Sequence, residues 1–390
     1  MHHALLQRLE SQRTQYLKRL PDRLERMHSL WTQIDAAWNR ELVWELALES
    51  HRLAGSGATF GFPDLGQAAR TASELLQDLV DADVTPSIDE RFQIGLMLEW
   101  MHQEAGALDV SMMPFLTPSF LKHTSLPDAQ QRPTIIGMVS QDTAFINWVS
   151  HLLHEDGHTF EVYASLSVLD DQRPGHPVRA LIVDLDGLNL DGRADIPSLA
   201  PQREGHIPMV CISTQADLDT RLQAVRLGGQ VFLPKPISAT QLRDLLRTLP
   251  EGPHAVPYRA LIVDDDDLIA RCHAAILESV GIQTEIITDP RHILTSVAEF
   301  QGEVILMDLH MPYCNGLEMR DLLQQHDAVC HDLSFIFLST ESSEVRQSRV
   351  RDRWGDLFLT KPVPPSMLID AVRTRARDRR FSRLATQSYV

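Results

Sequence analysis

The chain has 390 residues, 43% of them apolar and 23% charged, which is the composition of a soluble globular protein with roughly two to four domains. Its formal net charge of −17 argues against broad nucleic-acid binding, which needs a basic surface, so we expect no nucleic-acid partner. No apolar run reaches the length of a membrane span and the N-terminus lacks the pattern of a secretory signal, so we expect no membrane contact and a cytoplasmic location.

The first region, residues 1–113, predicts a helical bundle. It has little strand signal, and several stretches place apolar residues at the spacing of a helix face. Pro21, Pro63 and Pro86 are expected between helices, because proline lacks an amide hydrogen and resists the interior of a helix. The proline-rich segment that follows, residues 114–132, is predicted to be a linker.

The stretch HRLAGSGATFG, which begins at His51, contains three glycines within the predicted bundle. Glycine inside a helix costs roughly 1 kcal/mol relative to alanine, so several of them need a reason. The close approach of another protein surface is one such reason. A lone helical histidine is more commonly an ordinary surface or core residue, but a neutral ring nitrogen beside small residues is also suited to accept a phosphoryl group.

An internal repeat follows the linker, and each copy predicts a doubly wound, flavodoxin-like parallel sheet. In each copy, short apolar runs alternate with longer helix-compatible segments. The strand-end residues of the first copy recur in the second in the same order, Asp184, Ser213 and Lys235 matching Asp308, Ser339 and Lys361. We expect one α/β domain at residues 133–250, a second at 258–378, and a basic exit helix or tail at 379–390. The predicted fold class is therefore multidomain, α followed by α/β.

Acidic residues end two strands of the second repeat. Asp264 and Asp265 follow the first strand and Asp308 ends the third, and a doubly wound sheet brings these strand ends together. Three carboxylates in one cleft repel unless a cation joins them, and oxygen ligands suit Mg²⁺ or Mn²⁺. Ser339 and Lys361 end the next two strands and would supply a hydroxyl donor and a positive charge to a phosphoryl group. Taken singly, an aspartate run is more often a solvated loop and a Lys-Pro step an ordinary turn.

Residues 258–378 resemble a response-regulator receiver domain. The resemblance rests on the acid pair, on Asp308 with the MP step and Gly316 after it, and on Ser339 and Lys361. It implies that Asp308 is the phosphoacceptor. It also implies a Mg²⁺ (or Mn²⁺) ion held by Asp265, Asp308 and the backbone carbonyl of His310, with Asp264 contributing through water.

The same resemblance implies roles for residues around the phosphoacceptor. Phe358 matches the aromatic residue that rotates inward after phosphorylation, and with the hydroxyl of Ser339 it would form the switch. His310 and Glu341 match positions that tune the lifetime of the acyl phosphate.

The first repeat keeps Asp184 but lacks the acid pair, because Ser140 and Gln141 occupy those positions. Neutral side chains bind a divalent cation poorly. Asp142 follows, but it is expected to cap the next helix, and whether Asp186 replaces a missing ligand is left open. We therefore expect a degenerate receiver domain that serves for docking or spacing, with Asp184 as a weak candidate phosphoacceptor.

The glycine-containing stretch of the bundle resembles the motif of a histidine-phosphotransfer (HPt) domain. The matching residues are His51, Leu53, Gly55, Ser56 and Gly61. The resemblance implies that His51 carries the phosphoryl group. Ala54 replaces the lysine of the motif, and Arg52 is a candidate partial substitute for its charge. Arg52 lies two residues earlier, however, and each residue turns the direction along a helix by about 100°, so we expect it to point elsewhere on the helix.

Together these resemblances imply a two-component phosphorelay regulator. The sequence contains no kinase ATP site, DNA-reading module or GGDEF motif, so we expect no separate catalytic domain. Phosphoryl groups would come from a sensor histidine kinase or the receiver of a hybrid kinase, and the output would pass to another protein, an output domain or a homodimer through the second receiver. Whether His51 and Asp308 exchange phosphate within one chain is left open.

Two hypotheses about the function of the chain remain. Tandem receivers with an arginine-rich exit helix resemble the regulatory half of diguanylate cyclases, which points to c-di-GMP signalling and to a longer parent protein. The plainer interpretation of the same segment is a tail that frays in solvent. The alternative is a phosphorylation-independent interaction scaffold built from the same folds.

Overall fold

The computed structural model describes residues 2–107, 135–165, 178–186, 208–248, 256–326, 333–339 and 356–387. The chain divides into two compact units. One contains Met1–Thr124 and Tyr258–Arg373, and the other contains Ser125–Pro257 and Thr374–Val390. Within the described residues, no helix combines the length and the apolar character that a membrane span requires.

The described part of the N-terminal region is a bundle of four helices, which confirms the predicted helical bundle. They are α1 (His2–Ala36), α2 (Arg40–Thr59), α3 (Pro63–Ala82) and α4 (Ile88–Ala107). The side chain of Asn39 accepts hydrogen bonds from the first free amides of α2, which fixes where that helix begins.

Pro21 does not separate two helices, so this part of the prediction was wrong. It lies inside the continuous helix α1, with its ring exposed to solvent. Its neighbours Leu20 and Leu24 are buried in the bundle core, and this burial offsets the backbone hydrogen bond that a proline removes. Pro63 begins α3 and Pro86 lies between α3 and α4, as predicted.

The first α/β domain contains a five-stranded parallel sheet. Its strands are β1 (Ile135–Val139), β2 (Thr159–Tyr163), β3 (Val178–Asp184), β4 (Met209–Ser213) and β5 (Val231–Pro234). They lie in the order β2-β1-β3-β4-β5, and all four strand pairs are parallel. The helices described in this domain are α5 (Thr143–Glu155), α6 (Leu218–Arg226) and α7 (Ala239–Thr248).

The second α/β domain repeats this topology. Its strands are β6 (Arg259–Val263), β7 (Gln283–Ile287), β8 (Val304–Asp308), β9 (Ser334–Ser339) and β10 (Leu357–Thr360). Their order, β7-β6-β8-β9-β10, matches that of the first sheet, so the predicted doubly wound fold is confirmed for both copies. The helices described in this domain are α8 (Asp267–Glu278), α9 (Ile293–Phe300), α10 (Gly316–His326) and the first part of α11 (Pro365–Gln387), whose residues from Thr374 onwards belong to the other unit.

Helices α2 and α3 approach each other closely at two glycines. A Cβ atom on Gly66 would lie 2.9 Å from the backbone nitrogen of Ala58 and 3.0 Å from the carbonyl oxygen of Ala54. A Cβ atom on Gly57 would lie 3.1 Å from the nitrogen of Gly66. Part of the glycine content around His51 is therefore required by packing inside the bundle.

We predict that Gly66→Ala lowers the urea midpoint of unfolding, measured by far-UV circular dichroism, with a loss of roughly 1–3 kcal/mol from overpacking. Gly95→Ala in α4 is the matched control. A Cβ atom on Gly95 would meet only the side-chain nitrogen of Trp31, at 3.3 Å, so this change should leave the midpoint unchanged or raise it. Equal midpoints for Gly66→Ala and the unchanged protein would show that the two helices are not closely packed here.

Candidate functional site at the strand ends of the second domain

The carboxyl edge of the second sheet brings buried charges together. Asp264 follows β6, Asp308 ends β8 and Lys361 follows β10, and each is at most 4% exposed. The Lys361 ammonium donates hydrogen bonds of 2.8 Å to Oδ2 of Asp264 and of 2.8 Å to Oδ2 of Asp308. Oxygen atoms of Asp264, Asp265 and Asp308 lie within 4.8 Å of one another. The convergence predicted from the strand ends is present in the structure.

Burial and the lysine charge act in opposite directions on these groups. Burial, opposed by the Lys361 ammonium, raises the pKa of Asp264 to about 7. Burial also raises the pKa of Asp308, but Lys361 and its neighbours outweigh this and lower it below its ordinary value. Burial lowers the pKa of Lys361, and the two carboxylates more than reverse that. The lysine is therefore a fixed positive charge and Asp308 an anion.

Asp265 makes the site suitable for a divalent cation. Its side chain is 3% exposed, and its Oδ1 atom is buried with no hydrogen-bond partner among the described residues. A buried carboxylate oxygen without a donor is costly, and a hard cation satisfies it. The three carboxylates thus fit Mg²⁺ or Mn²⁺. The amide of His310 donates to Oδ1 of Asp308 at 3.2 Å, and the role of its carbonyl stays a prediction.

The two predicted switch residues lie on neighbouring strands. Ser339 ends β9, beside the strand that carries Asp308, and is buried. Phe358 in β10 is buried and stacks on Phe337, with the ring centroids 5.0 Å apart. Glu341 lies outside the described residues.

Helix α2 of the bundle covers the same edge of the sheet. The ring centroid of His51 lies 4.1 Å from that of His310. A nitrogen of each ring and a carboxylate oxygen of Asp308 lie within 4.8 Å of one another. Gly55 lines the small cavity that His51 and Asp308 share with Lys361. Gly55 therefore lies on the side of α2 that faces the strand ends.

Ion pairs join the bundle to the acidic loop of the second domain. The Arg52 guanidinium donates to Oδ2 of Asp265, and also to Glu49 at 2.8 Å. Arg23 donates to Glu49 at 3.1 Å and to Asp266 at 3.4 Å. Arg52 was expected to point elsewhere on the helix than Ala54, and its long side chain nevertheless lines the same small cavity as His51 and reaches the acid pair.

Apolar contact and one peripheral ion pair extend this interface. Leu268 and Ile269 of α8 belong to the same buried cluster as the bundle core. Arg8 of α1 pairs with Glu278 at the end of α8, at 2.8 Å. The sequence shows basic and acidic residues at these positions, but no local signal pairs them across more than 200 residues.

Contact with the second domain keeps the His51 ring neutral. Burial lowers the pKa of His51 to about 3, and the nearby His310 acts in the same direction. A neutral ring retains a nitrogen lone pair, which is the form that can act as a nucleophile.

The first α/β domain has a different arrangement at its strand ends. Asp184 is fully buried, accepts a hydrogen bond of 2.6 Å from the Ser140 hydroxyl, and accepts bonds of 2.8 Å on both oxygens from Lys235. In the part of the chain that the structure describes, both candidate ion-binding clusters include Asp308 and neither includes Asp184. Asp142 caps α5, as predicted, through the amides of the first helical turn.

Comparison with known families agrees with this geometry. The family model for the Hpt domain matches residues 13–104, and the model for the response regulator receiver domain matches residues 260–373. The chain contains an Hpt domain and a receiver domain. This combination belongs to two-component phosphorelay signalling, in which Hpt and receiver domains interact with histidine kinases or phosphotransfer partners.

Several known proteins resemble parts of the chain. An uncharacterized 76.5 kDa protein of Thiocystis violacea is 30% identical over 207 residues, which are 52% of this chain and 30% of that protein. Protein RcaC of Microchaete diplosiphon is 27% identical over 202 residues, which are 52% of this chain and 31% of that protein. The matches thus span less than a third of either relative. The solved Francisella response regulator 1452 receiver domain is 27% identical, with a TM-score of 0.28, and covers 30% of this chain and 96% of its own.

We predict that contact between the Hpt domain and the receiver domain weakens as the pH falls from about 6.5 towards about 3. The contact lowers the pKa of His51 from 6.5 to about 3, so the separated state binds a proton that the joined state excludes. The contribution of neutral His51 to the stability of the contact is fully present above pH 6.5 and is lost on acidification. In an NMR titration of the full chain, the His51 ring should not titrate between about pH 5 and 8, the range in which an ordinary histidine changes charge.

An Arg8→Ala and Arg23→Ala double variant should loosen the contact and return the His51 midpoint towards 6.5. Arg26→Ala is the control, because Arg26 pairs with Glu45 inside the Hpt domain. An ordinary midpoint for His51 in the unchanged protein would rule out the contact in solution.

Proposed function

We propose that this chain relays phosphoryl groups between Asp308 of its receiver domain and His51 of its own Hpt domain. The observation that carries the proposal is the short separation of the two groups. A ring nitrogen of His51 and an oxygen of Asp308 lie within 4.8 Å, a distance that one phosphorus atom can bridge. Phosphoryl transfer depends mainly on such positioning and on electrostatic stabilisation.

The transfer needs an anion on one side and a neutral ring on the other. In one direction, a carboxylate oxygen of Asp308 attacks the phosphorus of phosphohistidine, the N–P bond breaks, and His51 leaves as neutral imidazole. In the reverse direction, the neutral ring attacks the acyl phosphate and Asp308 leaves as a carboxylate. The lowered pKa values of His51 and Asp308 favour these charge states.

Positive charge at the site balances the transferred group. Lys361 lies against Asp308, and Ser339 is proposed as a hydroxyl donor at the next strand end. A divalent cation held by Asp264, Asp265, Asp308 and the His310 carbonyl would neutralise charge on the phosphoryl oxygens. Arg52 is proposed to supply the charge that the Hpt motif loses at Ala54, since its guanidinium already lies at Asp265.

The remaining parts are proposed to carry input and output. A sensor histidine kinase or a hybrid-kinase receiver supplies the phosphoryl group. Phosphorylation of Asp308 changes the surface near Phe358. This change alters the binding of a partner, the activity of an output domain or the formation of a homodimer. The first α/β domain acts as a pseudo-receiver, because the acid pair is absent beside Asp184. Control of a diguanylate cyclase stays a prediction.

We predict that a small phosphodonor with Mg²⁺ labels Asp308, and that Asp308→Asn abolishes the label, because the carboxylate is the nucleophile. Asp184→Asn is the matched control and should leave most of the label. Peptide mapping by mass spectrometry under neutral conditions checks both. No label at Asp308 would favour the phosphorylation-independent scaffold. Equal loss of label in both variants would contradict the prediction that Asp308 is a better phosphoacceptor than Asp184.

The same protein tests transfer within one chain. After labelling, phosphate should also be found on His51, and His51→Gln should remove it without removing the label on Asp308. The first-order rate of this transfer should not change when the protein is diluted, because donor and acceptor share a chain. A rate that falls in proportion to protein concentration would mean that transfer occurs between chains.

We predict that Arg52→Ala slows transfer between Asp308 and His51 about tenfold, which corresponds to roughly 1.4 kcal/mol of barrier. The reason is the loss of a charge-assisted contact that aligns the Hpt domain on the acid pair. In the Arg26→Ala variant the transfer rate should be normal, and the transfer rate of Arg52→Lys should lie between those of Arg52→Ala and the unchanged protein. A normal rate for Arg52→Ala at saturating Mg²⁺, or equal slowing by Arg26→Ala, would contradict this role.

A further inference from the structure

The carboxylate of Asp186 in the first α/β domain is bound by three different donors. The Ser213 hydroxyl donates to its Oδ1 at 2.6 Å. The Thr214 amide donates to both oxygens, at 3.0 and 2.9 Å. The Lys235 ammonium lies 3.2 Å from Oδ2. A hydroxyl, a backbone amide and an ammonium thus converge on one carboxylate at the ends of β4 and β5.

This donor set is that of an oxyanion site. Hydroxyl, amide and ammonium groups together stabilise a tetrahedral phosphoryl group as well as a planar carboxylate, because each donates to an anionic oxygen. Ser213 and Lys235 occupy the strand-end positions that Ser339 and Lys361 occupy in the receiver domain. The equivalence of the two donor sets rests on the proposed function of Ser339 and Lys361.

Asp186 occupies a position that has a different residue in the receiver domain. It comes two residues after Asp184, and the residue two after Asp308 is His310, which faces the Hpt domain. Burial raises the pKa of Asp186, but the bonds from Ser213 and Thr214 and the charge of Lys235 outweigh this and lower it. Asp186 is therefore an anion held by its neighbours.

We propose that the Ser213 hydroxyl, the Thr214 amide and the Lys235 ammonium form an oxyanion site, which the chain fills with its own Asp186 carboxylate in place of a phosphoryl group. The ammonium that would neutralise a phosphoryl group on Asp184 is bound to both Asp184 and Asp186. A phosphoryl group could enter only by displacing Asp186. The first α/β domain is thus fixed in a state that resembles occupancy of its anion site and does not respond to phosphodonors.

Removal of the Asp186 carboxylate should leave this site free to bind an external oxyanion. In full-length Asp186→Ala, titration with inorganic phosphate at constant ionic strength should shift the Thr214 amide signal in ¹H–¹⁵N spectra. The phosphate affinity should be at least tenfold higher than in the unchanged protein. Asp186→Asn should not gain phosphate affinity, because its amide oxygen still fills the site. Asp156→Ala, which removes an acid that pairs with Arg243 elsewhere in the domain, is the control.

Three outcomes would overturn the proposal. One is a folded Asp186→Ala protein whose Thr214 signal does not respond to phosphate. Another is an equal response in Asp156→Ala. If Asp186→Ala fails to fold, Asp186→Ser provides the same test with a small neutral side chain. The third outcome is then a folded Asp186→Ser protein whose Thr214 signal does not respond to phosphate. None of these readouts involves His51 or Asp308, so failure of the phosphorelay would leave the result unaffected.

Discussion

The structure of the site depends on a lysine that lies between two buried carboxylates. Each acid taken from water into a protein interior loses solvation that only a positive partner or several donors can replace. Lys361 supplies that partner to Asp264 and Asp308 at once. Asp265 then relies on Arg52 from the Hpt domain, and its second oxygen is available to a cation. The need for positive charge at one sheet edge therefore explains both the candidate ion site and the interface.

The two α/β domains meet this need in different ways. In the receiver domain, positive charge reaches the acids partly from outside the domain. In the first α/β domain, Ser140 and Lys235 satisfy Asp184 internally, and Lys235 also binds Asp186. A site whose donors and acceptors are already matched has little to gain from a cation or from a basic partner surface. The absence of an acid pair in the first α/β domain is thus accompanied by internal compensation of Asp184 and Asp186.

The parts of the fold and of the site that depend on local sequence pattern and strand order were predictable from the sequence. Strand-end aspartates, a lysine before a proline and repeated apolar runs are short-range signals, and the parallel topology converts them into a site. The contact between Arg52 and Asp265 was not predictable in this way, because it depends on two surfaces far apart in sequence. The continuous path of α1 through Pro21 was missed for a related reason, since tertiary burial overrides a local preference. For Asp186 the sequence left open only whether it replaces a missing ligand, and its three donors were not predictable because they come from the ends of two other strands.

The proposed phosphorylation of Asp308 would be coupled to the contact between the Hpt domain and the receiver domain. A phosphoryl group on Asp308 would add negative charge and volume to a small cavity lined by His51, Arg52 and Lys361. The added charge strengthens attraction to Arg52, whereas the added volume opposes the close approach of the Hpt helix. Because such effects are reciprocal, whatever the phosphoryl group does to the contact, the contact does equally to the stability of the acyl phosphate. An Hpt domain held at this position would therefore shift the phosphorylation equilibrium of Asp308, in addition to its proposed role as acceptor.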